Sequence, residues 1–174
     1  RPVVRGTGGL GTSVAIFAAA ACGGAPAAVV AVAGDGTFRA AVTVATGTTI
    51  FSANALDEGG NASGCAEGTL TYVFDGVVPG APTVTATEPA SPSSSLLVRV
   101  SGRAEPGSTV LVFGDAACAS AALGTGVADV SGDYSFDLNV YPNATTDIHA
   151  RAVDAAGNVS PCSTSNLLFV HDDS

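Results

Sequence analysis

The stretch "DAAGNVSPCS", Asp154–Ser163, packs an acid, a Gly-Asn turn, an Asn-x-Ser sequon and a cysteine into ten residues. "DEGGNASGCA", Asp57–Ala66, repeats Asp, Gly, Asn, Ser and Cys in the same places. A chemical site has no reason to be copied with its surroundings, whereas a structural corner does. Working outward, Cys65 and Cys162 are 97 positions apart and Cys22 and Cys118 are 96 apart. Phe17 aligns with Phe113, Phe38 with Phe136, Tyr72 with Phe169 and Asn61 with Asn158, with single-residue slips. Self-similarity over such a period means two copies of one domain. We place them at residues 1–79 and 80–174, joined around Gly80 by "GVVPGAP", whose prolines stiffen the joint.

Turn residues divide the second copy into seven extended pieces: "PTVTAT", "LLVRVSG", "STVLVF", "GVADV", "YSFDLNV", "DIHARAVD" and "NLLFV". Short strands at this spacing, with no helical period between them, predict an all-β sandwich. The sixth piece alternates cleanly. Ile148, Ala150 and Ala152 take one face, and His149 and Arg151 take the other. Its counterpart in the first copy puts Phe51, Ala53 and Ala55 inward, with Ser52 and Asn54 outward.

Composition narrows the function. Fifteen acids oppose six arginines and no lysine, for a net charge of −9, which argues against nucleic acid and anionic membranes as partners. No apolar run reaches the roughly 18 residues of a membrane-spanning helix. "SVAIFAAAAC", Ser13–Cys22, imitates a lipoprotein signal, but it corresponds to "STVLVFGDAAC", Ser108–Cys118, deep inside the chain. A signal peptide would not recur there, so the stretch reads as a strand and a loop that delivers a cysteine.

Each copy holds two cysteines in equivalent positions, so pairing Cys22 with Cys65 and Cys118 with Cys162 is the simplest scheme. Closing such a loop restricts the unfolded chain by roughly 4 kcal/mol in the loop-entropy model. It also points to an oxidising compartment. The rival is a four-cysteine zinc site, although no Cys-x-x-Cys pair or nearby histidine supports it. Nucleophilic catalysis needs a base, and the two histidines, His149 and His171, both lie in the second copy, where they read as surface residues rather than members of a triad.

The carboxylates Asp57 and Asp154, before the turn, and Asp75 and Asp172, after the last strand, recur between copies. Turn acids that bond their own backbone are one reading. Calcium held by loop oxygens at a domain junction is the other. Asn61, Asn143 and Asn158 lie in Asn-x-Ser/Thr sequons, read first as turn chemistry and second as glycan acceptors. A carbohydrate-binding face would need exposed aromatic rings, for which Tyr134, Tyr141 and Phe74 are the candidates.

"ARAVDAAGNVSPCST" and "GRAEPGSTVLVF", Gly102–Phe113, resemble the end and the second-to-third strand turn of the bacterial Ig-like repeats found in tandem in large secreted and surface proteins. The resemblance is strong in the second copy and degenerate in the first, where "GTGGLGTSVAIF" stands instead. It implies two tandem Ig-like Greek-key β-sandwiches in an extracellular or cell-surface bacterial protein. The implied role is non-enzymatic: a spacer, stalk, adhesin segment or fibre unit whose partners are neighbouring repeats, itself, or a cell-surface ligand. An accessory module that tethers a secreted enzyme to a glycan is the alternative.

The second copy carries "APTVTATEPASPSS" ahead of "LLVRVSG", whereas the first begins almost directly at the equivalent "PVVRG". The first copy is therefore expected to lack its N-terminal strand. Either the chain is a piece of a longer array, or another copy fills the vacancy by strand addition.

Overall fold

A computed structural model describes residues 1–173. The chain forms two compact units, Arg1–Asp75 and Gly76–Ser174, with strands as its only regular elements among the described residues.

The first unit holds β1 (Val3–Thr7), β2 (Ser13–Phe17), β3 (Ala28–Ala31), β4 (Thr37–Ala41), β5 (Gly47–Leu56) and β6 (Leu70–Phe74). They form a two-stranded β1-β4 sheet and a four-stranded sheet ordered β3-β2-β5-β6. The second unit holds β7 (Thr83–Glu88), β8 (Leu97–Arg103), β9 (Thr109–Phe113), β10 (Gly124–Val127), β11 (Asp133–Asn139), β12 (Thr145–Val153) and β13 (Leu167–Val170). Its sheets run β11-β8-β7 and β10-β9-β12-β13. Strand for strand, β8 to β13 repeat β1 to β6, and β7 has no partner in the first unit.

Alternation explains the cores. In β12, Ile148, Ala150 and Ala152 are fully buried, and Ile148 and Ala150 join Val98, Val100, Val110, Val112 and Phe169 in one apolar cluster that includes Val84 from β7. The first unit assembles Val14, Ile16, Phe38, Ala40, Val42 and Phe51 in the same way.

The repeated decapeptides form the same corner twice. Asp57 Oδ1 accepts the Asn61 backbone N–H at 2.8 Å and Oδ2 accepts its side-chain amide at 2.8 Å. Asp154 and Asn158 reproduce both bonds at 2.8 Å. Gly60 and Gly157 supply the positive φ, 81° and 88°, that tightens each turn. Beyond it the chain runs back along the strand it has just left: Ser63 N–H donates to Ala55 O and Ser160 N–H to Ala152 O, at 2.8 and 2.9 Å. Cys65 is thereby brought to Cys22 and Cys162 to Cys118, and both pairs are disulfides.

Register corrects one alignment. Phe38 faces Gly6 across β4 and β1, and Tyr134 faces Gly102 across β11 and β8. The structural counterpart of Phe38 is Tyr134, not Phe136.

Candidate functional site

The two units differ most along one edge. In the second unit β7 pairs antiparallel with β8, setting Val84 opposite Gly102 and Ala86 opposite Ser101, with a bulge between them. In the first unit the equivalent edge of β1 meets no strand among the described residues. Gly8 N–H donates to Gly36 O and Pro2 O accepts from Val42, so the even-numbered residues of β1 bond to β4. Antiparallel alternation then turns the backbone groups of Val3, Arg5 and Thr7 toward the open side.

The open edge leaves the core beneath it incomplete. Val100, Ala150, Ala152 and Phe169 are each 0% exposed, whereas their counterparts Val4, Ala53, Ala55 and Tyr72 are half-buried. A cleft of about 340 Å³ lies between Gly6, Val14, Phe38, Ala53 and Ala55, and a second of about 240 Å³ between Val4, Ile16, Phe51 and Leu70. In the second unit Val84, 5% exposed, packs over the matching residues, and Tyr134 donates its hydroxyl to Thr83 O at 2.9 Å.

Both glycines permit close approach. A Cβ on Gly102 would lie 2.0 Å from Thr83 O and 2.5 Å from the Tyr134 hydroxyl. A Cβ on Gly6 would meet only Phe38 ring atoms, at 2.7 Å.

Charge also differs on the outward face. In the second unit Arg99 pairs with Asp137 at 2.8 Å and Arg103 with Asp133 at 3.3 Å, with Ser101 and Ser135 between them. In the first unit Arg5 lies directly opposite Arg39, both exposed, in the places of those two serines. Like charges opposed across strands are destabilising.

The other candidate residues are spread out. Asp57 and Asp154 are engaged in their corners, where the Asn61 and Asn158 side chains first, and backbone N–H groups second, hold their carboxyls below the usual range. Asp75 and Asp172 are exposed beyond β6 and β13. Among the described residues no three His, Cys, Asp or Glu side chains gather to hold a metal. The side-chain nitrogens of Asn61 and Asn158 donate to Asp57 and Asp154, while Asn143 is exposed in a turn with φ 49°.

Two readings of the surface are overturned. His149 and His171 are 6% and 2% exposed. The returning segment lies along β12 and Ser163 O contacts His149 Nδ1 at 3.0 Å; His171 Nδ1 accepts the Asn143 N–H at 2.9 Å. Ser163 Oγ donates to Ser165 O and accepts from Ala150 N–H, so the hydroxyl is used structurally. Tyr134 is likewise interior, 3% exposed, and burial pushes its hydroxyl well above its ordinary pKa. Tyr141 and Phe74, 43% and 38% exposed, lie in different units. No aromatic platform forms from this trio within one sandwich.

The glycines, Val84 and the opposed arginines were not singled out from sequence. "VVRGT" against "RVSGR" carried a signal, because glycine recurs at the 96-residue offset inside an extended segment.

A family model described as "Bacterial Ig domain" matches residues 79–167. Among solved structures, the chain is similar to the BSP domain of a biofilm-associated protein at 20% identity and TM-score 0.38, covering 99% of this chain and 28% of that one. It is also similar to the D00-D0 domain of intimin at 16% identity and TM-score 0.30, covering 99% of this chain and 85% of that one. The chain thus spans about a quarter of the first of these structures. No curated protein matches.

Proposed function

We propose, from the premise that this chain belongs to the bacterial Ig domain family, that it is a non-catalytic structural or adhesive module of a secreted or cell-surface protein. The repeat itself carries this reading. Two sandwiches share strand order, corner and disulfide, so what the chain duplicates is scaffold rather than a cluster of reactive side chains. Disulfides that staple cores built largely of Ala and Val suit an oxidising exterior.

Pulling the chain between its ends in a single-molecule force experiment tests the reading. A structural module resists extension and unfolds in two steps. Reduction lengthens each step by roughly 150 Å, the extended length of the segments locked between cysteines 43 and 44 positions apart. Extension without resolved steps, or glycan-array binding that is lost in Tyr141→Ala, would overturn it.

A further inference from the structure

We propose that the disulfide of the first unit, Cys22–Cys65, is a site of thiol–disulfide exchange for a small uncharged thiol, whereas Cys118–Cys162 is a permanent staple. The two bonds close loops of nearly equal length at the same place in the repeat, so what separates them is the chain around them.

Cys22 is half-buried and every other residue from 18 to 27 is exposed, as is Cys65, whereas Cys118 is only 4% exposed. Side chains around the second loop account for the contrast. Asp115 accepts the N–H groups of Ala117, Ala119 and Ser120, each at 3.1 Å, and the Ser120 hydroxyl. Arg151 donates to Ala117 O at 3.2 Å. The Tyr141 ring packs so closely on Gly114 that a Cβ there would lie 2.8 Å from it. At the matching places the first unit has Ala19 for Asp115, Asn54 for Arg151 and Ala18 for Gly114. An alanine side chain offers no acceptor, so the Asp115 clamp has no equivalent there. Each loop leaves a middle strand of a four-stranded sheet, β2 or β9, so the contrast lies away from β1 and its open edge.

One hydrogen bond decides which sulfur is attacked. Cys22 N–H donates to Cys65 Sγ at 3.2 Å, whereas the matching Cys118 N–H is spent on Asp115 O at 3.1 Å. An N–H aimed at a sulfur favours its thiolate, and a disulfide expels the better-stabilised thiolate faster. An incoming thiolate therefore forms its S–S bond with Cys22 Sγ. The Cys22–Cys65 bond breaks, and its electron pair leaves on Cys65 as a thiolate. One disulfide is consumed and one is formed, so the step needs no outside oxidant or reductant. Return attack by Cys65 on Cys22 Sγ expels the thiol and restores the bond. Charge sets the class of thiol: residues 18–27 and 57–69 include Asp57, Glu58 and Glu67 and no basic residue, so an anionic thiol is repelled.

The test treats the folded full chain with mercaptoethanol, quenches by alkylation at successive times, and locates adducts and alkylated cysteines by peptide mass spectrometry. Cys22–Cys65 should open roughly tenfold faster than Cys118–Cys162 or more, since access to the sulfur governs the rate. The adduct should sit on Cys22 and the alkyl group on Cys65. At low salt, mercaptoethanesulfonate should react several-fold more slowly than mercaptoethanol, and the gap should close as salt is added. Asp115→Ala, shown to be folded by hydrogen exchange of β9 and β12, should open Cys118–Cys162 several-fold faster than the parent. If that variant does not fold, the comparison of the two bonds in the parent decides alone. Equal rates for the two bonds, faster opening of the second, no opening of either, or the adduct on Cys65 would each overturn the proposal. So would equal rates for the two thiols at low salt, or an unchanged second bond in folded Asp115→Ala.

Discussion

Substituting alanine at two equivalent glycines reads the presence or absence of a first strand directly. In Gly102→Ala the new methyl lies 2.0 Å from the backbone oxygen of Thr83 and 2.5 Å from the Tyr134 hydroxyl, so either β7 lifts or the buried ring swings out. Overpacking of this kind costs about 1–3 kcal/mol. Losing the Tyr134 to Thr83 bond adds about 1 kcal/mol, for a total of about 2–4 kcal/mol. In Gly6→Ala only the far edge of the Phe38 ring is in the way, at 2.7 Å, and no strand oxygen lies behind it. A tilt of that ring costs about 1 kcal/mol, offset by the roughly 0.4–1 kcal/mol that Gly→Ala gains by restricting the unfolded chain. Scanning calorimetry of the full chain is the assay. For domains of this size about 1 kcal/mol corresponds to about 4–8 °C, so Gly102→Ala should lower its transition by about 10–25 °C and Gly6→Ala by less than about 5 °C. Equal shifts, or a harmless Gly102→Ala, would refute the reasoning, because both positions face an aromatic ring and only one faces a strand.

Three further expectations follow from the same geometry. Tyr134→Phe should cost about 1 kcal/mol in urea denaturation by leaving Thr83 O without its hydroxyl donor, while Phe38→Tyr should gain nothing, since no strand carbonyl awaits it. Cys22→Ser/Cys65→Ser and Cys118→Ser/Cys162→Ser should each remove about 4 kcal/mol in the loop-entropy model, as their loops are nearly equal, again by urea denaturation. Asp115, bonded first by the Ser120 hydroxyl and then by the Ala119 and Ser120 N–H groups, has its pKa lowered to about 2. Its stabilisation is complete above its unfolded value near pH 4 and fades as pH falls toward about 2, so thermal melts of Asp115→Asn should show a shallower acid slope than the parent across that window.

Much of the architecture was legible because it was written twice. Repeated corners and cysteines fixed the copies, and the turn residues of the second copy marked all seven of its strands. The errors came from contacts that composition does not reveal. Aligning Phe38 with Phe136 followed residue type, whereas register against glycine pairs it with Tyr134, a ring that differs by one hydroxyl. His149 lies on the polar side of a cleanly alternating strand, but the segment after the corner folds back alongside β12 and buries it. Tyr134 was a surface candidate for a different reason: it had no aromatic repeat partner assigned, although the alternation of "YSFDLNV" puts it on the same core-facing side as Phe136 and Leu138. The two clefts and the pair of opposed arginines along β1 required the register.

Hydrogen exchange of the dilute full chain tests the open edge most directly. The account predicts that the amides of Val3, Arg5 and Thr7 exchange rapidly while their counterparts Arg99, Ser101 and Arg103, which face β7, exchange only with opening of the second unit. Equal protection of the two sets in a monomeric chain would contradict it.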